Sequence, residues 1–477
     1  MTPDIPLRQR RLAIVLLAVV TYACTLQLGL LWDDHVMIEL NPFIREWSWA
    51  NIRHDFTSDA FLGHGDAYYR PAQLLLNRLD YTLWGLKPFG YHLTNLLSHV
   101  ANAVLVHELI LALGFLPLTS LIAATLFAVH PMPVEQLMII AGRAELFGLT
   151  FSLICLIALL RPGAAALTAA CLAYVTALFF KESAAATPFL GALLLFYRGA
   201  PVRAYGRILL LAALTVPYLY LRVNAVGWME ERIPWNLTPL FLYKAFPAVL
   251  TKYLGLVGVP WHLHSHRQIG HLSRLWPLYL AAWLALTAYV VRKRDPRWIL
   301  CLGLFLLPFL PKIPVMMAGG FMLDHWAYPA VIGVALALGI FFTRAWHERP
   351  QWWARAATYG YLALLVLWSL QVPLNVALRG TDEKMYRWAL HFTESNPIKS
   401  NLGVYLVSQG RYKEALPFLF QVFQVDPTNL LNTNALAEAY ARTGRKKIAI
   451  KLLEGLPPER RQHPLTQTHL DEIRRQP

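Results

Sequence analysis

Apolar positions along this chain come in blocks, not in alternation. Runs of mainly Leu, Ala, Val, Ile and Phe occupy 12–31, 92–113, 119–131, 145–160, 164–180, 184–197, 207–222, 275–291, 297–311, 326–343 and 356–372. A helix needs about 20 apolar residues to cross a bilayer. The shorter runs remain usable as spans because in a bundle their neighbours are protein, not lipid. The pattern predicts an all-α polytopic membrane bundle of about eleven spans. One further apolar run, 241–258, contains Lys244, Lys252 and Pro247, which weaken it as a span. It is read as a re-entrant or interfacial helix with both ends on the outer side.

Composition sharpens this picture. Of 477 residues 56% are hydrophobic and 15% charged, where a soluble domain carries about a quarter charged. That deficit excludes a soluble enzyme, a disordered chain and a nucleic-acid module with a small anchor. The 16 Trp and 21 Tyr suit interfacial aromatic belts. The net charge of +15 lies in short clusters between the apolar runs: Arg8, Arg10 and Arg11; Arg198, Arg203 and Arg207; Arg292, Lys293, Arg294 and Arg297; Arg344, His347, Arg349 and Arg355. Such clusters mark cytoplasmic loops, so the N-terminus is expected inside and the C-terminus outside, with no nucleic-acid partner. Cys24, Cys155, Cys171 and Cys301 all lie inside apolar runs and read as small buried hydrophobes, neither a disulfide frame nor a zinc site. The first run is too long for a signal-peptide core and lacks cleavage residues after it, so it is expected to remain as a signal anchor.

Two domains are expected: a membrane domain over 1–380, with external loops 32–91 and 223–274, and an extracytoplasmic helical domain over 381–477. The second region contains a repeat. Leu406, Gly410 and Ala415 are followed 34 residues later by Tyr440, Gly444 and Ala449, with Asp426-Pro427 closing the first unit. Small residues at these offsets and this period are the tetratricopeptide signature. Two repeats are fewer than a free-standing array needs, so flanking helices or the membrane domain are expected to cover them.

Candidate chemistry gathers at the outer ends of the spans. Asp33 and Asp34 follow the first span, where paired carboxylates suit a general base, a metal ligand or a counter-charge. Tyr69 and Arg70 offer an aromatic and a planar phosphate-binding fork. His130, Glu135, Arg143 and Glu145 flank a proline-set turn between two spans. Lys181 suits a phosphate, and the adjacent Glu182 could hold it when no ligand is bound. Lys312, between Pro311 and Pro314, and His325 could bracket an anion. Each residue also has an ordinary reading, as a helix cap, an interfacial anchor or a snorkelling side chain. His262, His264, His266 and His271 form a dense histidine segment, but neither cysteines nor many carboxylates accompany them, and a polar loop is favoured over a metal centre. In the expected topology all these groups share one membrane face, which suits a substrate with an apolar tail and an anionic head.

The order of Asp33-Asp34, Asn41-Pro42, Tyr69-Arg70-Pro71, Asn77-Arg78-Leu79, Pro88 to Asn95, His130-Pro131 with Glu135, Gly142-Arg143-Ala144-Glu145 and Lys181-Glu182 resembles the GT-C superfamily of polyprenyl-phosphate-sugar-dependent glycosyltransferases. More closely, it is similar to the transmembrane-and-tetratricopeptide-repeat O-mannosyltransferases, as a bacterial relative would be. The resemblance implies a GT-C-type bundle in the bacterial inner membrane with its repeats in the periplasm. It implies transfer of a sugar, such as mannose, with inversion, from a polyprenyl-phosphate carrier to an acceptor hydroxyl on protein Ser or Thr. One carboxylate of Asp33-Asp34 would be the general base; Arg70, Arg143 and Lys181 are candidates to hold the carrier phosphate. No resident cofactor is implied, and use of a divalent cation is left open. Relatives tend to carry Glu-Arg or Asp-Arg where this chain has Asp324-His325-Trp326, and they usually carry many repeats where two are visible here. Transfer to a glycan or lipid, and a non-catalytic repeat-bearing scaffold, remain the alternatives.

Overall fold

In the computed structural model, residues 5–62, 68–227, 234–269 and 274–475 are described; His271 of the histidine segment lies outside them. The chain forms two compact units. One comprises Met1–Leu263 with Ile269–Ala377, and the other His264–Gln268 with Leu378–Pro477. Both are helical: among the described residues the strands are the two-residue pieces Arg267–Gln268 and Phe321–Met322.

The first unit is a polytopic bundle. Among the described residues eight helices are long and apolar enough to cross a membrane: Leu7–Gln27, Pro88–Ala112, Ile140–Leu159, Val202–Val226, Trp235–Gly258, Pro296–Gly319, Val331–Glu348 and Gln351–Arg379. Pro117–Val129, Ala164–Phe180 and Glu182–Tyr197 are shorter apolar helices, and Trp276–Arg292 adds 17 residues over the run expected at 275–291. The chain is therefore an integral membrane protein. Pro88, Pro117 and Pro296 begin their helices, where the missing N–H has no partner to lose.

Which faces are polar follows from what each helix touches. Lipid-facing helices show bare apolar surface, as at Leu209, Val216 and Tyr220 or Leu362, Val366 and Leu370. The inner helix Pro88–Ala112 instead buries His92, Asn95, His99, Asn102 and His107. Hydrocarbon offers these groups no partners, so they bond to neighbouring helices. His99 Nδ1 meets the Tyr328 hydroxyl at 2.9 Å and Nε2 the Ala128 carbonyl at 3.1 Å; Asn102 donates to the Leu146 carbonyl at 2.9 Å.

Trp235–Gly258, over the run expected to be re-entrant or interfacial, is long and apolar enough to cross a membrane. The Lys244 ammonium sits over the rings of Tyr243 and Trp276, the Tyr253 hydroxyl donates to the Leu323 carbonyl at 3.0 Å, and the Val257 carbonyl meets His130 Nε2 at 2.8 Å. The cation–π contacts cover the Lys244 charge.

The second unit stacks Asp382–Leu390, Asn396–Ser408, Tyr412–Val425, Leu430–Arg442, Lys446–Glu454 and Pro464–Arg475. Gly410 and Gly444 have φ of +72° and +84°, the left-handed geometry that ends the first helix of each repeat and suits glycine. Ala415 and Ala449 are completely buried between the paired helices, as the repeat requires. The last helix packs Leu470 and Ile473 onto Ala437, Ala441, Ala449 and Leu453, supplying the cover that two repeats lack.

Candidate active site

The site starts in the turn after the first span. Asp34 N–H donates to the Leu31 carbonyl at 3.0 Å, and Leu31 N–H donates back to Asp34 Oδ2 at 3.0 Å. Trp32, between them, has φ of +50°, a strained value for a bulky residue that reverses the chain. Asp34 Oδ2 also accepts from Ile140 N–H at 3.0 Å, and Oδ1 from Ala141 N–H at 2.7 Å. The receiving turn needs Gly142, where a Cβ would stand 2.5 Å from the Gln136 backbone. Asp34 is thus a buried strut with three backbone donors. Burial pushes its carboxyl up to about 7 against those donors, since they favour the charged form.

Asp33 is different. It is half-buried and faces other side chains. Burial pushes its carboxyl up to about 6; the charge of Arg70 opposes the rise, as do His325 and Lys181, while Glu135 adds to it. These neighbours come from four separate parts of the chain. Arg70 caps helix Pro71–Trp84, is 6% exposed, lies over the Tyr68 ring and pairs with Glu182 at 3.6 Å. Its Nε is buried with no hydrogen-bond partner. Lys181 pairs with Glu145 at 3.6 Å, and Lys312 binds the same carboxylate at 3.0 Å and the Trp326 carbonyl at 2.7 Å. His325 Nδ1 meets Glu135 at 2.8 Å, and Gln136 holds the His325 carbonyl at 2.8 Å.

Arg70 with Glu182, Glu145 with Lys181 and Lys312, and His325 with Glu135 are three ion-paired groups, each within electrostatic reach of Asp33, and together with it they make up one polar cluster. The two 3.6 Å pairs are longer than a charge-assisted hydrogen bond of about 2.7–2.9 Å, so these carboxylates do not saturate the donors of Arg70 and Lys181. Lys312 is held closely by its own partners. Lys181 does not take Glu182, its sequence neighbour. Its backbone is extended, with φ −152° and ψ 127°, so adjacent side chains diverge; Glu182 goes to Arg70 and Lys181 to Glu145.

Three other sequence candidates occupy different surroundings. Arg143 is fully buried and donates to Asn95 at 3.0 Å, Asn77 at 2.9 Å and the Tyr91 carbonyl at 3.0 Å, while pairing with Asp80 at 2.8 Å. It ties three helices together, with its guanidinium occupied by protein. His130 Nδ1 accepts from Met132 N–H at 3.1 Å, which leaves Nε2–H to donate to Val257, and its carbonyl accepts from the Tyr22 hydroxyl. Both ring nitrogens are engaged in holding the turn. Tyr69 packs against Phe179 and Tyr218, with its hydroxyl buried and unbonded. Tyr218, whose hydroxyl is also unbonded, and Arg222, whose charge reaches Glu182, line the same region. They were not singled out from sequence; a tyrosine and an arginine late in an otherwise apolar span were the available signal. Among the described residues no three of His, Cys, Asp and Glu are grouped to hold a metal ion. His264 is stacked on Phe392 in the second unit.

A buried cluster of charged residues at one end of a polytopic bundle, with a repeat module in the same chain, defines a membrane protein of the repeat-bearing class. The tetratricopeptide repeat family matches residues 406–468. By sequence the chain is similar to proteins named as protein O-mannosyl-transferases. It is 37% identical over 145 residues to protein O-mannosyl-transferase tmtc2 of Xenopus laevis, covering 29% of this chain and 17% of that one. It is 23% identical over 522 residues to protein O-mannosyl-transferase Tmtc3 of Drosophila melanogaster, covering 88% and 55%. The chain thus spans from about a sixth to about half the length of these relatives. Among solved structures it aligns with an oligosaccharyltransferase of Archaeoglobus fulgidus at a TM-score of 0.40 and 12% identity, covering 86% of this chain and 59% of that one.

Proposed function

We propose that the chain is a membrane glycosyltransferase that moves a hexose, with mannose as first choice, from a polyprenyl-phosphate carrier to a Ser or Thr hydroxyl of a protein. The observation that carries this is the division of labour at residues 33 and 34: Asp34 is bound into the backbone, and Asp33 is presented to two cations whose ion pairs are loose. In the reaction Asp33 takes the proton of the acceptor hydroxyl as its oxygen bonds to the sugar C1. The bond from C1 to the carrier phosphate oxygen breaks, with inversion. Arg70 and Lys181 take up the charge of the departing phosphate, an electrostatic role that works best where water is excluded. The cluster lies on the extracytoplasmic face of a bacterial inner membrane, the repeats lie on that side too, and they present the acceptor. Similarity to protein O-mannosyl-transferases supports this acceptor over a glycan or lipid.

The test is transfer from radiolabelled polyprenyl-phosphate mannose by purified protein, with and without divalent cation, to peptide, lipid and water. Label on peptide with the wild type and none with Asp33→Asn is the expected result. Equal transfer by both proteins, or none by folded wild type with any carrier, would sink the assignment.

A further inference from the structure

The end of the bundle away from Asp33 carries a second polar site. An open cavity of about 670 Å³ is lined by Leu113, Tyr197, Arg198 and residues 293–297. It lies at the far ends of helices whose other ends reach the cluster described above. Glu182 and Tyr197 bound one helix, and Arg297 and Lys312 lie on another, each pair about 22 Å apart along the axis at 1.5 Å per residue. The cavity is therefore a separate site.

Its lining is strongly cationic. Arg198, Lys293, Arg294 and Arg297 face one carboxylate, Asp295. Asp295 is neutralised locally: Arg297 binds both its oxygens, at 2.9 Å and 2.8 Å, and Arg344 adds a second cation at 3.8 Å. Arg198 gives one nitrogen to the Ala112 carbonyl at 2.6 Å. Lys293 leans over the Tyr289 ring, and Arg294 is exposed. Arg294 has φ of +52°, so the chain accepts backbone strain where this basic turn is formed. Beside the charges stand Leu113 and Tyr197, the latter stacked on Phe115 at 5.5 Å. Cations grouped round an open cavity at the ends of membrane helices, with an apolar and aromatic wall, match an anion attached to an apolar body.

We propose that this cavity binds the phosphate headgroup of an anionic membrane lipid in the leaflet opposite the Asp33 cluster. Lys293, Arg294 and Arg198 hold the phosphate, and Leu113 and Tyr197 flank the glycerol and upper acyl chains. The site anchors the 293–297 turn to the membrane surface and is independent of the transfer reaction.

The test uses the full chain in phosphatidylcholine nanodiscs, with and without phosphatidylglycerol, and reads bound phosphatidylglycerol by native mass spectrometry together with thermal stability. The wild type should retain a phosphatidylglycerol molecule and be stabilised by it. Lys293→Gln/Arg294→Gln should weaken that affinity roughly thirtyfold, the effect of two cations near a membrane surface, with stability in neutral lipid unchanged. Arg349→Gln/Arg355→Gln, which removes the same charge outside the cavity, should bind as the wild type does. Equal loss in both variants would show a diffuse field and no site, and absence of a phosphatidylglycerol preference would also overturn the proposal. Binding of inorganic phosphate as tightly as the lipid would overturn the lipid assignment.

Discussion

Arg143 and Arg70 sit in the same bundle, with side chains 0% and 7% exposed. Around Arg143, four groups from Asn77, Asp80, Tyr91 and Asn95 meet the guanidinium at 2.8–3.0 Å. Around Arg70 there is one carboxylate at 3.6 Å and a buried Nε with no partner. A buried charge is tolerated when it is paired and hydrogen-bonded. The first arrangement meets that condition from within the protein and locks three helices together. The second leaves capacity for a charge supplied from outside. Asp34 and Asp33 divide in the same way: the former accepts three backbone N–H groups, and the latter faces side chains. What separates a fixed polar strut from the proposed site in this bundle is therefore the completeness of pairing, since burial is shared.

That comparison can be broken by exchange of single groups. The largest effect is expected at Asp33→Asn, which should reduce transfer by about 10²- to 10⁴-fold, the range for a general base, while the melting temperature stays near wild type. Arg143→Gln should act on the fold instead. It leaves Asp80 buried without its cation, a loss of about 3–5 kcal/mol, measurable as a lowered melting temperature or loss of the monodisperse peak. If Arg143→Gln melted normally but lost donor binding, the distinction between the two arginines would fail.

Asp34→Asn comes next. Its amide cannot accept all of the backbone donors, and it should cost about 1–3 kcal/mol of stability in thermal unfolding. The pH profile sharpens the same point. Asp33 must be ionised to accept a proton, and burial holds it at about 6. The value of kcat/KM should thus fall with decreasing pH through about 6 and level off above, and the residual rate of Asp33→Asn should lack that limb. Smallest is Glu182→Gln. Its pair with Arg70 is long, at 3.6 Å, and its own side chain is 34% exposed, so the melting temperature should fall less than in Arg143→Gln. The donor KM should shift, because Arg70 loses its competing anion.

Much of this architecture was legible in the chain. Blocks of apolar residues announced the membrane helices, and the small residues at the 34-residue period announced the repeats; both are local signals that a helix imposes on its own sequence. The interfacial reading of 241–258 rested on Lys244, Lys252 and Pro247, whereas length and hydropathy make Trp235–Gly258 a candidate crossing. The candidate residues at positions 33, 70, 135, 145, 181, 182, 312 and 325 were visible as charges at the ends of apolar runs, where they are costly without a purpose. Their partners were not. Lys181 was paired in sequence with Glu182, but the extended backbone turns the two apart. Arg143 and His130 look like ligand-binding groups in sequence and are held by residues from 48 to 127 positions away in the fold, or in one case by the neighbouring turn.

The sequence by itself determined that the chain is an all-helical membrane bundle with a repeat module, because hydrophobic block length and repeat period act through local geometry. It also placed acidic and basic groups at the ends of the apolar runs. Only the tertiary structure decided which aspartate faces the cluster, which arginine keeps a donor free of hydrogen bonds and which lysine is already bound. The physical reason is that the state of a buried charge depends on every dipole and counter-charge within a few ångströms, and those come from helices that the sequence holds far apart.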